Sequence, residues 1–380
     1  MTQNAFETNA AQMTASWQAW MDSQVSAMKS FKVLADTADE AVDIATLPKD
    51  EVYRADKVRV FEYQPLARVK TSLPPILICY GLFGRQTMID LQEDRSLVRN
   101  LLEAGHRVFV VDWGNPSRVD KNLSLDDYIL GYLQSALKHV NQLNDNRPSL
   151  VFGICEGGTF AACLAALKPE LFAGLALAIT PIDFRGQPEK FWLGEGQLNL
   201  WVSQWTEEDI DLLLETYGNM PGQMYGAMFS ALTPMATMTK YNLGLAKLAG
   251  NEAATMNFLR MEKWIADRPD HPGAAAKQWL YNLYVENQLV KGAFELGGRI
   301  VDLHDIDCPV LNIYAAKDHI VPVSCSKPME AFIPAESYSD LCFPGGHVGV
   351  FVSSKAQGVV AGGLSDWMTA NLKQSAPKTK

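Results

Sequence analysis

The chain has 380 residues, of which 48% are hydrophobic and 20% are charged, so it can bury a large core and is not expected to be disordered. Acidic residues (43) outnumber basic residues (33), and the resulting net charge of −10 disfavours binding to nucleic-acid phosphates. The six cysteines form no CxxC pair and no cysteine–histidine ligand spacing, so neither a metal site nor a disulfide framework is expected.

The first 49 residues form a segment that is predicted to be an amphipathic helix. Large apolar residues recur there at spacings of three and four. They are Met13, Trp17, Trp20, Met21, Val25, Met28 and Phe31. Such a face either covers the protein's own core or docks on a partner or an apolar surface. The segment lacks the features of a signal peptide, and no apolar run reaches the roughly 18 residues of a membrane helix, so a cytoplasmic protein without a transmembrane segment is predicted.

From residue 50 onward, short apolar strands alternate with helical segments. Seven strands are predicted, at residues 58–63, 76–80, 108–111, 150–154, 175–179, 310–315 and 338–343. Helices are predicted at residues 94–103, 126–143 and 158–167. Continuous apolar strands are typical of parallel sheets that are covered on both faces. The sequence therefore predicts an α/β fold with a doubly wound, mostly parallel sheet and a site at the carboxyl ends of the strands.

This alternation is interrupted by a long insertion that is rich in Trp, Tyr, Met and Leu and is predicted to be mainly helical. An insertion of this size between two sheet strands is interpreted as a cap over the site. The predicted divisions are an N-terminal segment, a first core part, the cap, a second core part and a polar tail. They cover residues 1–49, 50–183, 184–305, 306–373 and 374–380, respectively.

The residues around Cys155 have the pattern of a nucleophile elbow. The run Gly153-Ile154-Cys155-Glu156-Gly157 follows an apolar strand and opens a helix of small residues, which matches the G-x-S-x-G motif with cysteine in place of serine. A lone cysteine between glycines is usually a small buried residue, but the strand–turn–helix context favours a nucleophile. The helix N-terminus favours a thiolate, and the backbone N–H of Glu156 is predicted to be one oxyanion donor.

Candidate partners follow in the chain order nucleophile, acid, histidine that α/β hydrolases use. Asp318 comes after the predicted strand 310–315, and His347 lies on a glycine-lined loop after strand 338–343. Each residue also has an interpretation without a catalytic role, since an aspartate after a strand often caps a turn and a histidine between glycines is often solvated. His319 competes as the base, but its adjacency to Asp318 leads us to interpret it as structural. The loop after strand 76–80 is predicted to supply a second oxyanion donor, the backbone N–H of Phe83.

A sulfur nucleophile in place of oxygen indicates that the substrate is an activated acyl group. A thiol that accepts an acyl group from a thioester makes another thioester, so the acyl group stays activated and can then pass downhill to a hydroxyl. A hydrolase needs no such property. The cysteine therefore favours acyl transfer from a coenzyme A thioester to an alcohol, with His347 as general base.

Several stretches of the chain are similar to one known family. They are YGLFGRQTMIDLQEDRSLVRNLL, VDWGNP, LSLDDYILGY, GICEGGTF, TPIDF, GNMPG, NFLRMEKWIADRPD, PVLNIYAAKDHIVP and FPGGHVGVFVS. Over about residues 50 to 370 the chain resembles the polyhydroxyalkanoate synthases, particularly the catalytic subunit of the class III type. The resemblance implies an α/β-hydrolase fold with a helical cap and a triad of Cys155, Asp318 and His347. It also implies short-chain (R)-3-hydroxyacyl-CoA substrates, chiefly 3-hydroxybutyryl-CoA, and a polyester product.

The resemblance also implies partners and a location. These are an accessory subunit, a homodimer or hetero-oligomer, and residence on polyester granules in the cytoplasm. No cofactor is expected, since coenzyme A is the leaving group of the substrate. The chain departs from the family at Glu156, where glutamine is common, and at Gly84 and Thr87, where asparagine and tyrosine are usual. We expect the Glu156 carboxylate to point away from the thiolate, because an inward carboxylate would raise the pKa of the thiol.

Three alternatives stay open at this stage. Either His347 or Asp318 activates the incoming hydroxyl group. A cysteine-dependent esterase or thioesterase would share every triad residue, and its product would be a free hydroxy acid instead of a polymer. A catalytically inactive granule or scaffold protein would use its aromatic cap and N-terminal helix as a binding surface, since a fold does not by itself fix a function.

Overall fold

The computed structural model describes residues 41–186, 197–233, 248 and 251–372, together with residues 14, 15, 17, 18, 21, 22 and 25. Those seven N-terminal residues are helical. Most of the amphipathic helix predicted within residues 1–49 lies outside the described residues, as does the polar tail 374–380.

An eight-stranded sheet forms the centre of the fold. Its strands are β1 (Lys49–Ala55), β2 (Val58–Tyr63), β3 (Ile76–Cys79), β4 (Val108–Asp112), β5 (Ser149–Ile154), β6 (Phe172–Ala178), β7 (Val310–Ala315) and β8 (Tyr338–Phe343). Their order across the sheet is β1-β2-β4-β3-β5-β6-β7-β8. The pairs β1–β2 and β2–β4 are antiparallel, and the remaining neighbours are parallel. The predicted mostly parallel sheet is confirmed, and all seven predicted strands belong to it.

The central strands are buried along their whole length. Every residue of β3, β4, β5 and β7 is buried, which explains why these strands read as continuous apolar runs. Strands β3 and β5 pair in register from Ile76 opposite Leu150 to Cys79 opposite Gly153. The carboxyl ends of these two strands therefore lie side by side, and the loops that follow them meet at one edge of the sheet.

Besides the helical residues near the N-terminus, eleven α-helices have both ends among the described residues. They are α1 (Leu97–Glu103), α2 (Gln134–Gln142), α3 (Glu156–Leu167), α4 (Gln197–Val202), α5 (Glu207–Tyr217), α6 (Gly222–Leu232), α7 (Glu252–Ala266), α8 (Gly273–Lys277), α9 (Val323–Ser326), α10 (Gly349–Val352) and α11 (Ser354–Asn371). Wider π-helical turns precede α2 at Asp127–Leu133 and follow α8 at Gln278–Val285. All twelve residues of α3 are buried, and its run of alanines, glycines and one cysteine fits this close packing.

The chain divides into two compact units. One comprises Met1–Ile44 and Thr233–Lys263, and the other comprises Ala45–Leu232 and Trp264–Lys380. In the first unit the Arg260 guanidinium pairs with Asp43 at 2.6 Å. The second unit contains the whole sheet and every candidate site residue. No helix among the described residues has the length and apolar character needed to span a membrane.

Candidate active site

Cys155 sits at the tight turn between β5 and α3. Its backbone has φ 53° and ψ −124°, a conformation that residues with a side chain rarely adopt. The turn is held by the Cys155 N–H, which donates to Ala178 O at 2.9 Å, and by the Gly158 N–H, which donates to Cys155 O at 3.0 Å. This is the strained strand-to-helix turn that the sequence predicted, and it leaves the Cys155 side chain half-buried.

The glycines of the elbow are required by close backbone contacts. A Cβ at Gly153 would lie 2.5 Å from Gly158 Cα and 2.9 Å from Gly157 O, so it would overlap the first turn of α3. A Cβ at Gly157 would lie 2.3 Å from Cys79 O and 2.6 Å from Tyr80 C, so its main conflict is with the end of β3 instead of with Gly153. The glycine at 157 therefore allows the elbow to lie directly against the loop that follows β3.

Asp318 and His347 form a hydrogen-bonded pair. His347 Nδ1 lies 2.7 Å from Asp318 Oδ2, and both side chains are buried. The other carboxylate oxygen, Oδ1, accepts hydrogen bonds from the N–H groups of Ile320 and Val321, each at 2.9 Å. The loop after β7 thus fixes the carboxylate, and the carboxylate fixes the ring of His347.

His347 also interacts with Cys155. Burial lowers the pKa of His347, but the charges of Asp318 and Cys155 and hydrogen bonds to both side chains raise it to about 10. The structure therefore brings the three residues together, and these interactions favour the protonated form of His347. The pKa of the neighbouring His319 is lowered by burial, and its ring shares no described hydrogen bond with the triad.

The other five cysteines differ from Cys155 in their surroundings. Burial raises the pKa of the Cys163, Cys308 and Cys325 thiols to about 12, and it raises that of Cys79 further. Cys342 is exposed on β8. All six cysteines are free. Within the described part of the chain, no group of three or more His, Cys, Asp or Glu side chains could hold a metal ion.

The two predicted oxyanion donors lie on adjoining segments. Glu156 is the first residue of α3, and Phe83 lies in the loop that follows β3, which is held by Trp113 Nε1 donating to Tyr80 O at 2.7 Å. Among the described residues, no hydrogen bond engages the backbone N–H of Glu156 or of Phe83. The N–H of Leu82, by contrast, donates to the Glu156 carboxyl at 2.5 Å.

The Glu156 side chain is fully buried and paired with His271, a residue that the sequence analysis did not name as a site residue. Its Oε1 lies 2.8 Å from Nε2 of His271, and both side chains have no exposed surface. The carboxyl group is thus directed to Leu82 and His271. The sequence offers only one signal for this pair, a buried acid in the elbow that requires a partner.

An apolar cavity opens beside Cys155. Its walls include Phe83, Leu198, Val202, Tyr225, Trp279 and Tyr284. A lining of this composition suits the hydrocarbon part of a small acyl group, because apolar walls with few polar atoms bind hydrocarbon and leave orientation to the reacting groups.

Comparisons with known proteins identify the fold and the family of the chain. The α/β hydrolase fold family matches residues 74–353. Among solved structures, a thermophilic esterase from Thermogutta terrifontis with malate bound superposes with a TM-score of 0.51. It is 15% identical and covers 87% of this chain and 100% of its own, so it shows the fold alone.

Curated relatives are more similar. The poly(3-hydroxyalkanoate) polymerase subunit PhaC of Thiocystis violacea is 38% identical over 330 residues, which are 87% of this chain and 90% of the relative. The subunit of the same name from Synechocystis is 38% identical over 333 residues, 87% of this chain and 86% of the relative. At this identity and coverage, the chain belongs to the poly(3-hydroxyalkanoate) polymerase PhaC subunits, acyltransferase-type enzymes that have the α/β hydrolase fold.

Proposed function

We propose that this enzyme polymerises short-chain (R)-3-hydroxyacyl-CoA, chiefly 3-hydroxybutyryl-CoA, into polyester and releases coenzyme A through a covalent Cys155 thioester. The observation that carries the proposal is the Asp318–His347 hydrogen bond of 2.7 Å, with His347 in turn interacting with an elbow cysteine that faces an apolar cavity. Membership of the PhaC family supports the same reaction.

In the proposed acylation step, the Cys155 thiolate attacks the thioester carbonyl and forms a new S–C bond. The tetrahedral oxyanion accepts hydrogen bonds from the N–H groups of Glu156 and Phe83. Its collapse breaks the bond between carbon and the coenzyme A sulfur, and His347 gives its proton to the departing thiolate. Asp318 stabilises the imidazolium before this transfer and keeps Nε2 directed at the reacting atoms.

In the proposed transfer step, the neutral His347 accepts the proton of the incoming hydroxyl group, whose oxygen attacks the acyl-Cys155 carbonyl. The C–Sγ bond breaks, the Cys155 thiolate is restored, and the chain is longer by one ester. The environment of Asp318 favours His347 over Asp318 in this role. Oδ1 of Asp318 is occupied by two backbone N–H groups, Oδ2 by His347, and only 2% of the residue is exposed.

We also propose that the enzyme acts with an accessory synthase subunit, as a homodimer or hetero-oligomer, and resides on polyester granules in the cytoplasm. The name polymerase subunit, which the relatives carry, supports an assembly with a further chain. The proposed reaction consumes no cofactor, because the activated thioester supplies the free energy for ester formation. Purification with and without a co-expressed companion subunit, followed by the polymerisation assay, tests this part.

The experiment that tests the function supplies 3-hydroxybutyryl-CoA and follows both free coenzyme A and the product. The wild type is expected to release coenzyme A and to form polymer, and Cys155→Ala is expected to do neither. Cys342→Ala is the matched control, since Cys342 is an exposed cysteine outside the site, and it should behave as the wild type. Free 3-hydroxybutyrate in place of polymer would identify a thioesterase, and equal coenzyme A release by Cys155→Ala would refute the mechanism.

A further inference from the structure

Glu156 and His271 form a buried pair that the proposed reaction does not use. Glu156 Oε1 lies 2.8 Å from His271 Nε2, and neither side chain has any exposed surface. A carboxyl group and an imidazole that are fully removed from water are costly unless each polar atom has a partner. Glu156 is the first residue of α3 and directly follows the nucleophile, and this position indicates a role near the reacting atoms.

The carboxyl group reaches the loop that carries the second oxyanion donor. Glu156 Oε2 accepts the N–H of Leu82 at 2.5 Å, and Leu82 directly precedes Phe83. A Cβ at Gly81 would lie 2.8 Å from Glu156 Cβ and 2.9 Å from Oε2, so the glutamate side chain packs closely beneath this loop. Glu156 thus fixes the Gly81–Leu82 peptide, which directly precedes the peptide that carries the Phe83 N–H.

His271 contacts the same loop. Its ring lies 5.1 Å from the ring of Phe83, between centroids, at an interplanar angle of 34°. The backbone of His271 is itself fixed, because it exchanges two hydrogen bonds of 2.9 Å with Met220. The pair therefore holds the backbone of Leu82 and contacts the side chain of Phe83. It is anchored to α3 on one side and to the segment around Met220 on the other.

We propose that Glu156 and His271 are positioning residues that set the direction of the Phe83 N–H toward the oxyanion. The proposal rests on the proposed function, in which that N–H stabilises a tetrahedral intermediate. An oxyanion donor stabilises a transition state only if it is held in place within about half an ångström before the reaction begins. The hydrogen bond from the Leu82 N–H to Glu156 and the contact between the rings of Phe83 and His271 provide that restraint.

The test compares two reactions of the same sulfur. Acylation of Cys155 by p-nitrophenyl butyrate forms an S–C bond, passes through an oxyanion and expels p-nitrophenolate. Alkylation by iodoacetamide forms an S–C bond by direct displacement of iodide and develops no oxyanion. Both rates are measured after subtraction of the rate of Cys155→Ala. The ratio of acylation to alkylation therefore reports the oxyanion donors separately from the reactivity of the thiolate.

Glu156→Met keeps the length of the side chain and removes its hydrogen bonds to the Leu82 N–H and to His271. We expect its acylation rate to fall about 10- to 100-fold, toward the loss seen when an oxyanion donor is removed, while alkylation stays at the wild-type rate. Glu156→Gln is the rescue variant, because its amide can still accept from Leu82 and donate to His271. It should keep an acylation rate close to that of the wild type.

Two further variants keep the test decisive if Glu156→Met does not fold. His271→Phe removes the hydrogen bond and retains a ring beside Phe83, and Gly81→Ala displaces the loop while the pair stays chemically intact. Both should lower the ratio. Ser96→Ala, which breaks a buried hydrogen bond of 2.8 Å to Asp90 elsewhere, is the matched control for a general loss of stability and should leave the ratio unchanged.

Parallel losses of acylation and alkylation in these variants, or no loss in either, would overturn the positioning role. That result would leave the proposed polymerase function intact, since function is judged by polymer formation from 3-hydroxybutyryl-CoA. If the wild type forms no polymer but the variants have the expected lower ratio of acylation to alkylation, the polymerase function is refuted and the positioning role is retained.

Discussion

Substitution of Gly157 by alanine directly perturbs the contact between the elbow and the loop that follows β3. The new Cβ would lie 2.3 Å from Cys79 O and 2.6 Å from Tyr80 C, whereas real Cβ atoms essentially never approach closer than 3.0 Å. Both neighbours are backbone atoms, so no side-chain rotation can relieve the overlap. The strand end and the helix must move apart, and the loop with Phe83 must move with Tyr80.

The expected loss in the free energy of unfolding follows from this overlap. Overpacking of a dense core costs about 1–3 kcal/mol. The matched control is Gly362→Ala in α11, where nothing lies within 4 Å of the new Cβ, and where alanine stabilises a helix by about 0.8–1 kcal/mol over glycine. We therefore expect the free energies of unfolding of these two variants to differ by about 2–4 kcal/mol.

Urea denaturation followed by circular dichroism measures the stability of both variants, and coenzyme A release from 3-hydroxybutyryl-CoA measures their activity. Gly157→Ala should be less stable than the wild type, and its acylation should fall by at least about tenfold because an oxyanion donor is displaced. Gly362→Ala should be at least as stable as the wild type and fully active. Equal stability and activity of the two variants would refute the packing argument for the elbow.

Three further predictions concern the triad and the cavity. Burial alone lowers the pKa of His347, so removal of a negative neighbour must lower it from its value of about 10. Asp318→Asn should lower it more than Cys155→Ala does, as measured by NMR titration of 13C-labelled histidine, and an unchanged value in Asp318→Asn would contradict the pairing. His347→Gln should lower the acylation rate by about 10² to 10⁴, the usual contribution of a general acid–base, in stopped-flow measurements. A smaller loss would assign the proton transfer to another group. Val202→Phe should fill part of the cavity and lower kcat/KM for longer 3-hydroxyacyl-CoA substrates more than for 3-hydroxybutyryl-CoA, and equal losses would show that the cavity does not select the acyl group.

The buried parts of the sheet could be predicted from sequence because their pattern is local. The seven predicted strands are mostly continuous apolar runs, which is the pattern of strands covered on both faces. Strand β1 was missed because its sequence, KDEVYRA, belongs to an antiparallel edge strand in which no residue is fully buried. A polar edge strand has little local signal of its own, and its pairing partner determines it.

The elbow could be predicted because it depends on a short motif in one stretch of chain. The spacing of the motif accounts for the positive φ of Cys155 and for the tight contacts of Gly153. The association of Asp318 with His347 was predicted from their order along the chain and their positions after β7 and β8.

The Glu156–His271 pair could not be predicted because it joins residues 115 positions apart. Neither residue belongs to a periodic pattern, and a glutamate at the start of a helix is usually explained by the helix dipole. Only the packing of the inserted segment against the elbow places His271 beside Glu156. The π-helical turns were also missed, since they differ from α-helix by an altered backbone spacing that apolar periodicity does not reveal.

Covalent catalysis by Cys155 is tested by rapid quenching of the enzyme with 3-hydroxybutyryl-CoA, followed by mass spectrometry of the peptide that contains Cys155. We expect an adduct with the mass of one or more hydroxybutyryl units on Cys155, formed as coenzyme A appears and absent from Cys155→Ala. Coenzyme A release without acylation of Cys155, or acylation of a different residue, would contradict this mechanism.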